Sequence, residues 1–368
     1  MFKWVKIHDG HDNFFTPLRL IFAYMVVVGH TFAVTAGHDP HAEPFIFFHY
    51  KPSYLAVNLF FIASGFLVTK SMLYRGDLPE FSSARILRIF PALAVHMLFV
   101  MFIMGPLATN LPLWDFFTHP QFYTQPLQVL TFYETNMVLP GAFVSMKEQI
   151  GSAPLWTLRY EVLAYIGTAI LFAFGMMRKK WVFLAQFVIC AMVWIVAQYT
   201  GIYDDILATF KSLIRFGIPY GLGAAIFAYK DRLKFNIWGV FGTGVFAALT
   251  SETPAFEVTT NIFLAYFIFW AAYIKLPKLT SLQKINDVSY GVYIYHWCIL
   301  QLTFYYMPEI GTWATLAIVT TITLILAKLS WHFVEKPMLA NKKAFAERLR
   351  FNKKKTKSVY DASTMLLD

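Results

Sequence analysis

Apolar runs of roughly 17 to 25 residues recur along the whole chain, the length at which a helix crosses the hydrocarbon core of a bilayer. Polar breaks separate them. The pattern predicts helices near 14–36, 54–74, 89–109, 155–177, 181–200, 206–229, 236–251, 257–274, 286–306 and 311–333. Inside lipid each backbone N–H and C=O needs a partner within the segment, so runs of this length are read as helices. The moderately apolar stretch 125–145 carries Pro126, Glu134, Asn136 and Pro140 and is expected to be a re-entrant or surface segment of an outer loop. The predicted fold is an all-α polytopic integral membrane protein of about ten transmembrane helices, with both termini cytoplasmic. One membrane domain should cover 1–340. The remainder, 341–368, is a basic cytoplasmic tail without apolar periodicity and is expected to be partly disordered.

Composition supports this pattern. Of 368 residues, 58% are hydrophobic and 14% charged, whereas soluble proteins carry about 25% charged residues. The net charge of +10 follows membrane topology and is not read as a nucleic-acid surface, because no basic soluble domain carries a nucleic-acid motif. With a cytoplasmic N-terminus, the loops on that side hold Arg75, Arg85 and Arg88, then Arg178, Lys179 and Lys180, then Lys230, Arg232 and Lys234, then Lys275, Lys278 and Lys284. The tail adds eight more basic residues: Lys342, Lys343, Arg348, Arg350, Lys353, Lys354, Lys355 and Lys357. Acids dominate the opposite loops, around Asp204, Asp205 and Glu252, with Lys51 and Lys147 as interruptions. An odd number of crossings would put the basic tail outside. The opening residues lack a short apolar core ending in a small-residue cleavage site, so no removable signal peptide is expected. Cys190 and Cys298 fall inside apolar stretches and read as buried, inert thiols.

Several polar residues interrupt the apolar helices. In the first, Arg19 and His30 are eleven positions apart, about 16 Å of rise on nearly the same face. His30 is either functional or hydrogen-bonded for packing, and Arg19 either joins it or snorkels to the interface. Asn58 and the Ser64-Gly65 pair lie in the second helix, where a serine can offer a hydroxyl to a cavity or simply allow close packing. Arg85 and Arg88 have a spacing that suits a phosphate fork or plain topogenic charge. Glu161 has two candidate partners, Arg159 as an ion pair or His30 as a base to be oriented. Ser289, Tyr293 and His296 share one stripe, either an interhelical seam or a substrate contact, and Glu335-Lys336-Pro337 can be a helix stop.

In order along the chain, these features resemble the bacterial membrane acyltransferase-3 family, which modifies exopolysaccharides, lipopolysaccharide and related glycans. The resemblance spans nearly the whole chain. It rests on Arg19 with His30, the LFFIASGFL run, Arg85 with Arg88, the 156–161 and 289–296 segments, and Glu335 with Pro337. Thr157 departs from the serine that many relatives have after the tryptophan. The resemblance implies an O-acyltransferase in the bacterial cytoplasmic (inner) membrane that moves an acyl group, by default acetyl from acetyl-CoA, to a carbohydrate acceptor. No metal or nucleic acid is implied, membrane lipid surrounds the domain, and the oligomeric state is unspecified. His30, Glu161 and Arg19 are then the catalytic candidates, Arg85, Arg88 and Arg19 the donor-binding ones. Arg159, Ser64, Tyr293, His296 and Asn58 are the candidate substrate contacts. The competing reading is a proton-coupled transporter or lipid-linked glycan flippase with His30 and Glu161 relaying protons, although no internal repeat supports it.

The basic loops make the topology testable. Reporters fused at both termini and at Arg178 should score as cytoplasmic and one inserted at Glu252 as external. A cytoplasmic signal at Glu252 would remove the ten-helix arrangement.

Overall fold

The computed structural model describes residues 4–10 and 12–350. Ten long helices occupy the expected places: α1 (Phe15–Thr35), α2 (Pro52–Arg75), α3 (Leu78–Phe99), α4 (Trp156–Ala173), α5 (Lys180–Thr200), α6 (Ala208–Ala228), α7 (Ile237–Leu249), α8 (Phe256–Tyr273), α9 (Ser289–Tyr306) and α10 (Thr312–Ser330). Six of the described helical stretches, those built on α1, α2, α3, α5, α8 and α10, are long and apolar enough to cross a membrane. The protein is an all-α polytopic membrane protein. A single two-stranded ladder among the described residues pairs β1 (Val5–Lys6) with β2 (Lys234–Phe235). With the Lys230–Asp9 ion pair at 2.6 Å, it sets the N-terminal segment beside the α6–α7 loop. At the other end Thr35 meets Thr312 at 2.9 Å, and the Lys147 ammonium reaches the His38 carbonyl at 3.4 Å. Loops expected to share a side of the membrane therefore meet in space.

Three boundaries differ from the sequence reading. The third helix begins at Leu78, not near 89, so Arg85 and Arg88 stand two to three turns inside a helix and not in a loop. Gly76 closes α2 at φ 59°, a left-handed conformation that glycine adopts without strain, and the Asp77 side chain caps α3 by accepting from the Glu80 N–H at 2.9 Å. Only two residues remain for the connection, and the polar first turns of α3 are helix. Secondly, Pro337 does not stop α10: a π-helical turn at Trp331–Glu335 leads into a short helix, Lys336–Ala340, with the proline in its first turn, where no N–H is needed. Thirdly, the 125–145 region begins as the end of a surface helix, Pro120–Leu130, with Pro126 inside it, and continues as irregular chain bridged at Thr109–Ala142 and Val138–Ile150. The start of the tail forms a helix, α11 (Lys342–Leu349), packed on α3 with Ala346 buried. Its later lysines, from Lys353 onward, lie outside the described residues.

The bundle centres on α2, which contacts α1, α6, α4 and α8. Its crossing with α6 is the tightest, since a Cβ on Gly65 would run into the Tyr220 carbonyl and one on Gly223 into the Ile62 carbonyl. In lipid, where hydrophobicity does not drive helices together, such close backbone approach supplies the packing energy. Gly223→Val should therefore cost about 1–3 kcal/mol through overpacking, read as a lowered melting temperature in detergent. An unchanged melting temperature would show that this crossing is not rigid.

Candidate active site

Five helices leave a cleft between them. Its atom-free space, counting the part open to solvent, is about 840 Å³, and its polar lining comes from Arg19 on α1, Ser64 on α2, Arg85 and Arg88 on α3, Thr157, Glu161 and Tyr165 on α4, and Ser289, Tyr290 and Tyr293 on α9. Apolar side chains, including Phe60, Phe61, Leu67 and Val68, complete the wall. A largely apolar cavity with a few convergent polar groups is the usual form of a small-molecule site.

At the end expected from the basic loops to be cytoplasmic, an ionic network holds the cleft's helices. Asp287, just before α9, binds Arg19 at 2.6 Å and Arg88 at 2.8 Å through one oxygen. Its other oxygen accepts from the Ser289 hydroxyl at 2.5 Å and backbone N–H at 3.3 Å, starting α9. Arg88 also reaches Glu335 at 3.1 Å, in the π-turn beyond α10. Burial alone would raise the Asp287 carboxyl, but the Arg19 and Arg88 guanidiniums outweigh it and hold the group at about 2. Arg85, one turn earlier, has no carboxylate within ion-pair distance among the described residues. Its guanidinium lies 6.0 Å from the Phe81 ring centre and 5.4 Å from that of Tyr165, and its buried Nε has no partner. The expected arginine pair is thus divided: Arg88 is consumed by structure, whereas Arg85 is available to a ligand.

In the outer half, His30 Nδ1 lies 2.9 Å from His296 Nε2, the rings stacked at 5.2 Å. His296 Nδ1 faces the Tyr293 carbonyl at 2.8 Å and the Val292 carbonyl at 3.2 Å. Carbonyl oxygens only accept, so His296 carries its proton on Nδ1 and presents a lone pair at Nε2. His30 then donates from Nδ1. This leaves the His30 Nε2 lone pair without a hydrogen-bond partner among the described residues, on a ring that is only partly buried. Trp297 meets His30 edge-on at 5.2 Å and donates to the Ile150 carbonyl at 2.8 Å, tying the outer loop over the pair.

The expected Glu161–His30 contact does not form. Glu161 accepts from the Tyr165 hydroxyl within its own helix, and Arg159 points to the Tyr133 carbonyl at 2.9 Å, so neither anticipated partner is used. Of the other candidates, Ser64 faces the cleft with a buried hydroxyl lacking a partner, and Tyr293 lines it while bonding Thr157 at 2.5 Å. Asn58 does not line the cleft. It is fully buried and donates to Glu257 at 2.9 Å, in a cluster with Tyr50, Tyr54 and Asn261 that sequence reasoning missed. Asp287 was missed as well; an Asp side chain that can accept from the backbone N–H two residues on, here Ser289, is a local signal that could have drawn notice. Glu43 is the third omission, its carboxylate packed on Gly29 and held by the Ser53 N–H and hydroxyl, both at 2.7 Å. Among the described residues no group of three His, Cys, Asp or Glu is placed to hold a metal ion.

A family profile described as an acyltransferase domain matches residues 13–332, nearly the whole membrane unit. The chain belongs to the acyltransferase-3 family. It is 27% identical to nodulation protein 10 of Rhizobium leguminosarum bv. viciae over 90% of this chain and 94% of that one. It is 25% identical to an O-acetyl transferase of Shigella phage Sf6, over 89% of this chain and 96% of the relative. The peptidoglycan O-acetyltransferase OatA of Listeria monocytogenes is 25% identical, over 79% of this chain and 52% of that protein. No solved structure matches. This acyltransferase is accordingly a multi-pass membrane O-acyltransferase that uses an acyl donor.

The depressed Asp287 carboxyl contributes about 2 kcal/mol to stability. Because its folded value of about 2 lies below the ordinary 3.8, that contribution is complete above pH 4 and is lost as pH falls toward 2. The melting temperature of the detergent-solubilised protein should fall over this window. Asp287→Asn should be less stable at neutral pH and show a shallower acid decline. Parallel curves would mean that Asp287 is not the titrating group.

Proposed function

We propose that the protein transfers an acetyl group from cytoplasmic acetyl-CoA to a hydroxyl of an exported or cell-surface carbohydrate, in the bacterial inner membrane. The His30–His296 pair carries this reading, because it leaves one imidazole lone pair unengaged in the outer half of the bundle. His30 Nε2 takes the proton of the acceptor hydroxyl as its oxygen attacks the thioester carbonyl. The C–O bond forms and the C–S bond breaks. The departing thiolate receives the proton from His30, which returns the base to its starting state. While His30 is charged, His296 accepts a charge-assisted hydrogen bond and the Tyr293 carbonyl fixes its tautomer, so His296 is a positioning residue.

The donor's anionic end belongs at the cytoplasmic mouth, where Arg85 has no carboxylate at ion-pair distance among the described residues. Glu161 and Ser64 line the wall along which the pantetheine arm extends. The phage O-acetyl transferase and the peptidoglycan O-acetyltransferase support the direction of this reading by their names alone.

Two comparisons test it in purified protein supplied with labelled acetyl-CoA. His30→Ala should lower transfer about 10²–10⁴-fold with little change in melting temperature. His296→Ala should give a smaller defect that is non-additive with it and displaces the pH–rate profile. Wild-type activity per folded molecule in His30→Ala would sink the assignment. Separately, Arg85→Ala should raise the donor KM by about 10- to 100-fold through loss of a charged hydrogen bond, whereas Arg88→Ala should chiefly lower folded yield, because it strands buried carboxylates. The reverse result would exchange their roles.

A further inference from the structure

Beyond the cleft, the cytoplasmic surface carries a second opening of about 440 Å³, lined by Arg75, Glu80, Lys342 and Lys343. Three elements build it: the end of α2, the start of α3 and the start of α11. The arrangement is specific. The Ser83 hydroxyl on α3 donates to the Lys342 carbonyl at 2.5 Å, and Arg350 bridges to Asp77 at 3.2 Å and Glu80 at 3.7 Å. Docking α11 in this way uses both nearby acids on Arg350. Arg75, Lys342 and Lys343 are left without a carboxylate at ion-pair distance among the described residues, and Arg75 has only the Ser71 hydroxyl as hydrogen-bond partner. Glu80 lines the same opening and offsets part of the charge on Arg75, but it is shared with Arg350, so three cations at one opening leave room for a further anion. Arg85, which lines the main cleft, lies close enough to Arg75 for the two cations to repel. A run of positive charge therefore leads from the surface opening into the cleft.

We propose that Arg75, Lys342 and Lys343 form a phosphate-binding site for the ribose phosphate of the nucleotide end of the acyl donor. The inference rests on the donor reading above, in which Arg85 meets the diphosphate. The ribose phosphate is the donor's phosphate monoester, with close to two negative charges on one phosphorus, and lies outside the thioester-bearing arm, so it suits cations on the aqueous side of Arg85. Two lysines serve a phosphate as mobile point charges, and Arg75 supplies a directional fork. The same chemistry would accept the headgroup phosphate of an anionic lipid, and the experiment distinguishes the two.

Binding of coenzyme A and of dephospho-coenzyme A, which lacks only the ribose phosphate, should be titrated to the full-length protein in detergent free of added lipid. Lys342 and Lys343 are exposed, so Lys342→Gln with Lys343→Gln should leave the fold intact. In the double variant coenzyme A should bind about tenfold more weakly, while dephospho-coenzyme A shifts less than twofold. Arg75→Gln should repeat the pattern. Unchanged affinity, or equal loss for both ligands, overturns the site. If the variants alter only binding to vesicles of phosphatidylglycerol relative to phosphatidylcholine, the source is lipid and the donor assignment falls. A wild-type protein that binds neither coenzyme overturns the donor reading itself, an outcome distinct from variants that bind as wild type does.

Discussion

The carboxylate of Asp287 is the point at which the cytoplasmic half of the bundle is joined. One of its oxygens faces two guanidiniums and the other starts a helix, so α1, α3 and α9 converge on a single residue, and Glu335 extends the network beyond α10. Two guanidiniums face two carboxyl groups. In a low-dielectric interior such a network tolerates no partial loss, since deleting one member strands another at a cost greater than the attraction removed. That sensitivity makes it a device for fixing geometry more than a source of net stability.

Its effect reaches the outer half through helix length. On α1, Arg19 and His30 are eleven residues apart, and on the opposing chain His296 follows Asp287 by nine. Both helices are joined at each end of these intervals, by the Arg19–Asp287 ion pair below and the His30–His296 hydrogen bond above. Two contacts about three turns apart fix both the rotation and the axial register of a helix pair. Slippage by one residue would rotate each side chain by about 100° and break both contacts. The imidazole pair is therefore aligned in part by an ionic network in the other half of the bundle.

The sequence made the ten helices legible because hydrocarbon imposes length and apolarity on each segment separately. Where a helix runs past the hydrocarbon, that constraint disappears. The polar first turns of α3 look like a loop, and Pro337 looks like a stop although it occupies the one position of a new helix turn that accepts it. Arg19, His30 and His296 were legible for a related reason, since ionisable groups are costly in apolar runs. Which helix faces which is not written in the period of either one. That is why His30 was matched to Glu161 and not to His296, and why Arg85 and Arg88 looked equivalent. Asp287, Glu257 and Glu43 drew no notice at the ends of predicted helices or in a loop, although each is held by partners distant in sequence or across a turn of chain.

The charge distribution along the cleft bears on how a donor with an anionic head can deliver its acyl group deep in the bundle. Cations without a carboxylate at ion-pair distance among the described residues gather at the cytoplasmic mouth, Arg85 inside and Arg75 with Lys342 and Lys343 outside. Farther out, the reactive end is a pair of neutral imidazoles. Moving phosphates into this interior would cost far more than moving an uncharged thioester arm, because ion desolvation dominates in low dielectric. On the proposed reading the gradient orients the donor before any chemistry occurs: its phosphates remain where cations and water meet them, and its neutral arm alone enters. A base built from two histidines and a carbonyl completes this logic. The His30–His296 pair stays uncharged until the acceptor proton arrives, so no second carboxylate has to be desolvated beside the base.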